Sequence, residues 1–234
     1  MKADQTASTA PQAHFSDPEA VARYAEGPPR FVPGYSAMQR MAELLIAERV
    51  PEQARILVLG AGGGLELAAF AGARPGWSFD GVDPSAEMLA LAERTMGPLA
   101  SRARLHRGYA DDAPTGPFDA ATCLLTMHFM SIAERRGAAA AIHRRLRPGA
   151  PFVVAHLGFP QADGARARWL SRYSAFTVAS GLDPEKALNA RAAVDAQTVI
   201  LAPEQDEAIL REAGFSNVEL FYAAFSFRGW VGYA

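Results

Sequence analysis

Between residues 38 and 50 the apolar positions Met38, Met41, Leu44, Leu45 and Val50 recur at the spacing of one helix face. The helical pattern reaches back to Phe15 and is interrupted by "GPPRFVPG" at 27–34. Beyond Val50 the period changes. Short apolar runs predict strands at 56–60, 77–82, 103–107, 118–125 and 151–157, and between them helical spacing predicts helices at 64–73, 85–96 and 131–146. Such alternation across short Gly- and Pro-rich joints builds a parallel sheet covered by helices on both faces. The rhythm breaks at 161–202, which reads as two or three helices without a strand. They are expected to cap the C-terminal edge of the sheet, where open α/β sheets bind ligands. A helix at 203–213 then leads into two closely spaced strand-like runs, "NVELFY" and "AFSFRGWVGY". A tight terminal pair of this kind suggests one last strand inserted antiparallel.

Composition narrows the class. The chain has 234 residues, 50% of them hydrophobic and 21% charged, enough for one sizeable core. A single domain over 15–234 is expected, behind a polar stretch at 1–14 that is expected to be disordered. The net charge of −2 exerts no global pull on nucleic acid. The local clusters "SRARLHR" and "HRRLRPG" read as strand edges and helix C-termini. Cys123 is the sole cysteine, which excludes an internal disulfide and fits a reducing cytoplasm. Inside "AATCLLTM" it reads as a small buried hydrophobe rather than a nucleophile. No apolar run reaches the length of about 18 residues that a membrane span needs, and the first residues lack the apolar stretch of a signal peptide. The expected setting is cytoplasmic, with a small-molecule partner, no membrane, nucleic acid disfavoured and a homodimer left open.

The candidate chemistry begins with Gly60, Gly62 and Gly64, a G-x-G-x-G loop directly after the first strand. A dinucleotide loop would place its third glycine where Leu65 stands, and the phosphate loop would require a Lys that is missing. Alone, the loop could be a tight structural turn. Asp83 sharpens it, at the end of the second strand and 19 residues beyond Gly64. A carboxylate there can accept from both hydroxyls of a ribose. Asp83 could instead cap the helix beginning near Pro84, with Ser85 and Glu87 in its first turn.

Taken in order, "LGAGGG", "GVDPSAEMLALA", "FDAATCLLTMHF" and "RRLRPGAPFVVA" resemble the motifs of class I S-adenosylmethionine-dependent methyltransferases across residues 56–157. The resemblance implies an α/β fold: a Rossmann-like, doubly wound, seven-stranded sheet, mostly parallel, with one antiparallel strand in the C-terminal pair and a helical cap. It implies S-adenosyl-L-methionine as cofactor, held by Gly60, Ala61, Gly62 and Gly64, with Asp83, Pro84 and Met88 at the second strand. By position, Tyr109 and Ala110 would border the adenine, and Leu124 in strand four would also bind the cofactor. The family usually carries an acid two residues before the first loop glycine, where this chain has Val58. That acid helps to orient the methionine ammonium. Glu66 is a candidate for the contact, or a first-turn helix acid.

"RFVPGYS" and the run "EAGFSNVELFYAAFSF" narrow the resemblance to the group that includes carboxy-S-adenosylmethionine synthase and related methyltransferases. It implies that Tyr35 closes over the cofactor. Arg191 would bind the extra carboxylate of carboxy-S-adenosyl-L-methionine or a substrate, or else be a surface charge. The synthase has an Asn where Leu124 stands, which favours methyl transfer here over remodelling of the cofactor. A module that binds the cofactor without catalysis is the third reading.

A sulfonium methyl is already electrophilic, so alignment of the acceptor and exclusion of water would supply most of the rate. A base is needed only for a protonated acceptor. His128, just past strand four, is the candidate catalytic residue, or an uncharged wall. Trp169, Tyr173 and Phe176 share one face of a cap helix, as a core stripe or as a lining for a planar or apolar acceptor. No metal site is suggested.

Overall fold

The computed structural model describes residues 24–162 and 164–234. The expected disorder at 1–14 and the helical pattern from Phe15 to residue 23 lie outside the described residues. Helices α1 (Gly27–Phe31) and α2 (Tyr35–Ala47) precede strand β1 (Ala54–Leu59). There follow α3 (Leu65–Ala73), β2 (Trp77–Asp83), α4 (Ala86–Met96), β3 (Ala103–Arg107), β4 (Ala120–Leu124), α5 (Ile132–His143) and β5 (Pro151–Leu157). Helices α6 (Ala165–Ala179), α7 (Pro184–Gln197) and α8 (Pro203–Glu212) lead to β6 (Ser216–Ala224) and β7 (Phe227–Tyr233).

The seven strands form one sheet in the order β3-β2-β1-β4-β5-β7-β6. Strands β1 to β5 pair in parallel, and β7 runs antiparallel to both of its neighbours. The late hairpin therefore inserts its second strand, as the two adjacent runs suggested. Successive residues of β1 feed opposite faces: Ile56 and Val58 join one core cluster, Leu57 and Leu59 the other. The first cluster packs beneath α2, α3 and α6, and the second beneath α5 and α8. The strand order reverses between β1 and β4, and that switch point opens a crevice at the C-terminal ends of the strands.

Three local differences from the sequence reading have physical causes. The interruption at 27–34 is shorter than expected, because α1 occupies most of it. Pro28 and Pro29 stand in the first helical turn, where a missing N–H breaks no bond, and the true break is Val32–Gly34. Strand β4 stops at Leu124 because Leu125 turns to a positive φ of 59°. Helix α5 begins after Ser131, whose hydroxyl accepts from Glu134 N while Glu134 returns a carboxylate to Ser131 N. The arginine clusters are partly fastened to main chain. Arg102 donates to the carbonyls of Ala71 and Trp77, and Arg145 to those of Ala141 and Asp111.

The segment 161–202 holds two helices. Ser226 Oγ donates to Trp169 O (2.8 Å), tying α6 to the β6–β7 hairpin, and Val199 N donates to His128 O (2.8 Å) beyond α7. Tyr222 donates its hydroxyl to Pro33 O, pinning the turn ahead of α2 to β6.

Candidate functional site

The glycine loop is built by close approach on two sides. Leaving β1, the amides of Gly60 and Ala61 both donate to Val82 O on β2, at 2.8 and 3.0 Å. A Cβ at Gly60 would lie 2.0 Å from Thr126 Oγ1, and one at Gly64 would lie 2.6 Å from the α-carbon of Ala92 on α4. Both residues have positive φ, 76° and 80°. Gly60 and Gly64 thus let protein pack against protein. The middle of the loop faces elsewhere: a Cβ on Gly63 would strike the ring of Tyr24, and one on Gly62 would come within 3.3 Å of its hydroxyl.

Asp83 joins loop and helix. Its Oδ2 accepts from Gly62 N and its Oδ1 from Ser85 N, each at 2.9 Å. Ser85, not Asp83, is the side-chain cap of α4, accepting from Met88 N at 3.1 Å. Burial raises the Asp83 carboxyl above its ordinary range, and the two backbone donors offset part of that. With one amide on each oxygen, a further acceptor site is left on both.

Between the loop and the end of β4 lies a cavity of about 20 Å³, lined by Tyr24, Tyr35, Gly60, Glu66, Leu124 and Leu125 together with Gln39, Ala61 and Leu65. That volume admits about one water. Tyr24 and Tyr35 stand together in this lining, with Gln39 Nε2 donating to the Tyr35 hydroxyl at 2.9 Å. Both phenols are raised by burial first and by nearby negative charge second, that of Tyr24 to about 12. Glu66, in the first turn of α3, is 7% exposed, and its Oε1 has no hydrogen-bond partner. Burial pushes its carboxyl up to about 8, the Thr122 hydroxyl offsetting part of the rise. A larger groove of about 190 Å³ lies between α5 and α8, lined by Ile132, Arg136, Leu201, Gln205, Ala208 and Ile209. It offers neither a glycine cradle nor a carboxylate.

Of the residues singled out in the sequence, Tyr35, Gly60, Ala61 and Leu124 line the cavity, while Gly62 and Asp83 are bonded to each other outside its lining. The Met88 thioether would sit 3.6 Å from a Cβ on Gly62. Pro84 follows β2, and its carbonyl accepts from Arg107 at 3.3 Å. Tyr109 is 56% exposed beyond β3, with Ala110 beside it. His128 does not line the cavity. It is buried, its Nδ1 accepts from Leu157 N at 3.5 Å, and burial, His156 and Arg135 hold the imidazole well below its ordinary range. Tyr173 is buried between the rings of Phe31 and Phe227, and Trp169 lies beneath the guanidinium groups of Arg172 and Arg228. Phe176 meets Phe225. Arg191 is half-buried on α7, outside the cavity lining. The reading missed Tyr24 and Leu125. Nothing local in "VARYAEG" marks an aromatic that will cover a loop, and nothing in "CLLTM" marks a leucine with positive φ.

Residues 57–152 match a family described as methyltransferase domain. The chain is 26% identical over 226 residues to carboxy-S-adenosyl-L-methionine synthase of Chromohalobacter salexigens, covering 94% of this chain and 84% of that protein. Both matches agree with the resemblance to class I S-adenosylmethionine-dependent methyltransferases that the ordered motifs carry. Solved structures agree on the fold. Human N-acetylserotonin methyltransferase in complex with SAM aligns with a TM-score of 0.63 at 13% identity, covering 97% of this chain and 59% of that one. PigF with SAH aligns at 0.68 and 18% identity, covering 94% and 61%. The chain therefore spans about three-fifths of the length of those two structures. The family's cofactor, S-adenosylmethionine, suits the residues present: bare main chain at Gly62, an acid at the end of β2, and an unpartnered buried carboxyl oxygen on Glu66.

Proposed function

We propose that the protein transfers a methyl group from S-adenosylmethionine to a small-molecule acceptor, with residues 15–234 acting as one domain in a cytoplasmic setting. One observation carries the reading: Asp83 ties the glycine loop to α4 across adjacent strand ends while keeping an acceptor site on each oxygen. Such a carboxylate is ready for two ribose hydroxyls. When bound, the cofactor supplies a methyl group on an electrophilic sulfonium.

The chain's own residues do the rest. Leu124 and Leu125 form an apolar wall at the end of β4, and Tyr24 and Tyr35 exclude water from above. No histidine lines the cleft among the described residues, so the rate rests on alignment rather than on proton transfer. For His128 we favour the role of an uncharged buried residue over that of a base. An extra carboxylate on the cofactor would call for a guanidinium, and Arg191 does not line the cleft. S-adenosylmethionine itself is therefore the preferred ligand. Among the described residues no helix is long and apolar enough to cross a membrane. The small cleft, enclosed by aromatic and aliphatic side chains, supports an acceptor of low molecular weight.

The test is calorimetry with S-adenosylhomocysteine, followed by a screen of small phenols, amines and thiols for its formation from S-adenosylmethionine. Asp83→Ala should weaken binding by about 100-fold or more, two charge-assisted hydrogen bonds being lost. Unchanged affinity would mean that the ribose is gripped elsewhere. A co-purifying nucleotide heavier by one carboxyl group would overturn the choice of cofactor.

A further inference from the structure

We infer that Glu66 is the anchor for the α-ammonium of the cofactor's methionyl part, replacing from α3 the acid that β1 does not supply. The inference rests on the methyltransferase reading and adds a residue to its site.

Val58, where the resemblance would place an acid in β1, is fully buried in the apolar core. An ammonium entering the crevice needs an acceptor, and among the described residues that line the cavity a single one carries a carboxyl group. That group is Glu66. It stands two residues past Gly64, on the first turn of α3, so the loop that receives the ligand also aims the side chain. Its buried Oε1 is without a partner, a costly arrangement in a finished core and an expected one in a site awaiting a cation. An ammonium donates N–H; a sulfonium does not. The unpartnered oxygen is therefore matched to the amino group and not to the sulfur.

The surroundings fit a group that ionises only when its partner arrives. Burial holds the free carboxyl at about 8, so it is protonated at neutral pH. The ionisable groups that sense its charge are the Tyr24 and Tyr35 phenols and the Cys123 thiol, all raised by burial and neutral near pH 7. No cation is among the groups acting on Glu66. An arriving ammonium turns the acid into a carboxylate and displaces its proton to solvent. Affinity then rises with pH up to about 8 and levels off above it.

Calorimetry separates the outcomes. S-adenosylhomocysteine keeps the ammonium and lacks the sulfonium, while 5′-methylthioadenosine lacks the amino-acid part altogether. Glu66→Gln should bind S-adenosylhomocysteine about 10- to 100-fold more weakly, the range for a hydrogen bond to a charged group. It should bind 5′-methylthioadenosine within about twofold of wild type. Near pH 7, wild type measured in buffers of different ionisation enthalpy should release close to one proton per S-adenosylhomocysteine and none per 5′-methylthioadenosine. The second measurement needs no variant, so it stands even if Glu66→Gln fails to fold. Equal losses for both ligands, a loss confined to S-adenosylmethionine, or no proton release would each overturn the inference. Failure of wild type to bind either nucleoside would instead overturn the methyltransferase reading.

Discussion

At Gly60 there is no room for a methyl group. Thr126 occupies the place where a Cβ would stand, and the φ of 76° would strain any side chain even in open space. Gly60→Ala should therefore destabilise the protein by about 2–4 kcal/mol, combining left-handed strain with overpacking. Urea denaturation measures the loss. A cost below about 0.5 kcal/mol would show that Thr126 moves aside freely and that the glycine serves the ligand instead. The three glycines were legible in the sequence because their spacing is local. Their division of labour was not, since Thr126 and Ala92 come from β4's end and α4. Asp83 stands out by the same local spacing, but of the two roles weighed for it the helix cap falls to Ser85, while its own oxygens accept from the loop at Gly62 and from the turn at Ser85.

The short segment between β4 and α5 shows what element-level patterning can and cannot give. The apolar run 118–125 identified the strand, but the positive φ at Leu125 ends it and swings Thr126 onto Gly60. His128 then turns inward, linked through Leu157 to β5 and through Val199 to the start of α8. A histidine just past a strand end reads equally as base or wall, because sequence does not say which way the turn throws it. His128→Ala should cost about 2–4 kcal/mol of stability, as for other buried truncations. It should leave the pH dependence of kcat unaltered once an acceptor is known. Loss of a basic limb from that profile, with stability intact, would restore His128 as the proton acceptor. Elsewhere the alternation of periods sufficed. Strands 103–107 and 151–157 appear with the expected bounds: β5 is buried throughout and almost continuously apolar, while β3, an edge strand without a fully buried residue, ends before Gly108.

Across the whole molecule, long-range contacts govern access to the site. Arg135 on α5 is wholly buried against Asp206 on α8 (2.5 Å), a pairing 71 residues apart that no local pattern announces. It fastens α5 to α8 on one face of the sheet, while Tyr24 lies against Gly63 of the loop. A space of about 20 Å³ cannot hold an adenosyl group, for which pockets of at least about 300 Å³ are usual. Entry of an adenosyl group into this cleft would require Tyr24 and Tyr35 to withdraw, and its rate would then carry the fraction of molecules in that state. Tyr24→Ala removes the ring that lies over Gly63 and keeps the Asp83 and Glu66 carboxyl groups in the chain. It should raise the association rate of S-adenosylhomocysteine by about tenfold in stopped-flow measurements, if the open state is a minor one of about 10%. Dissociation should quicken as well, because the same ring shields the bound ligand from water. Faster exit with unchanged entry would assign Tyr24 to retention alone, and the gate would then have to be sought in α2 with Tyr35.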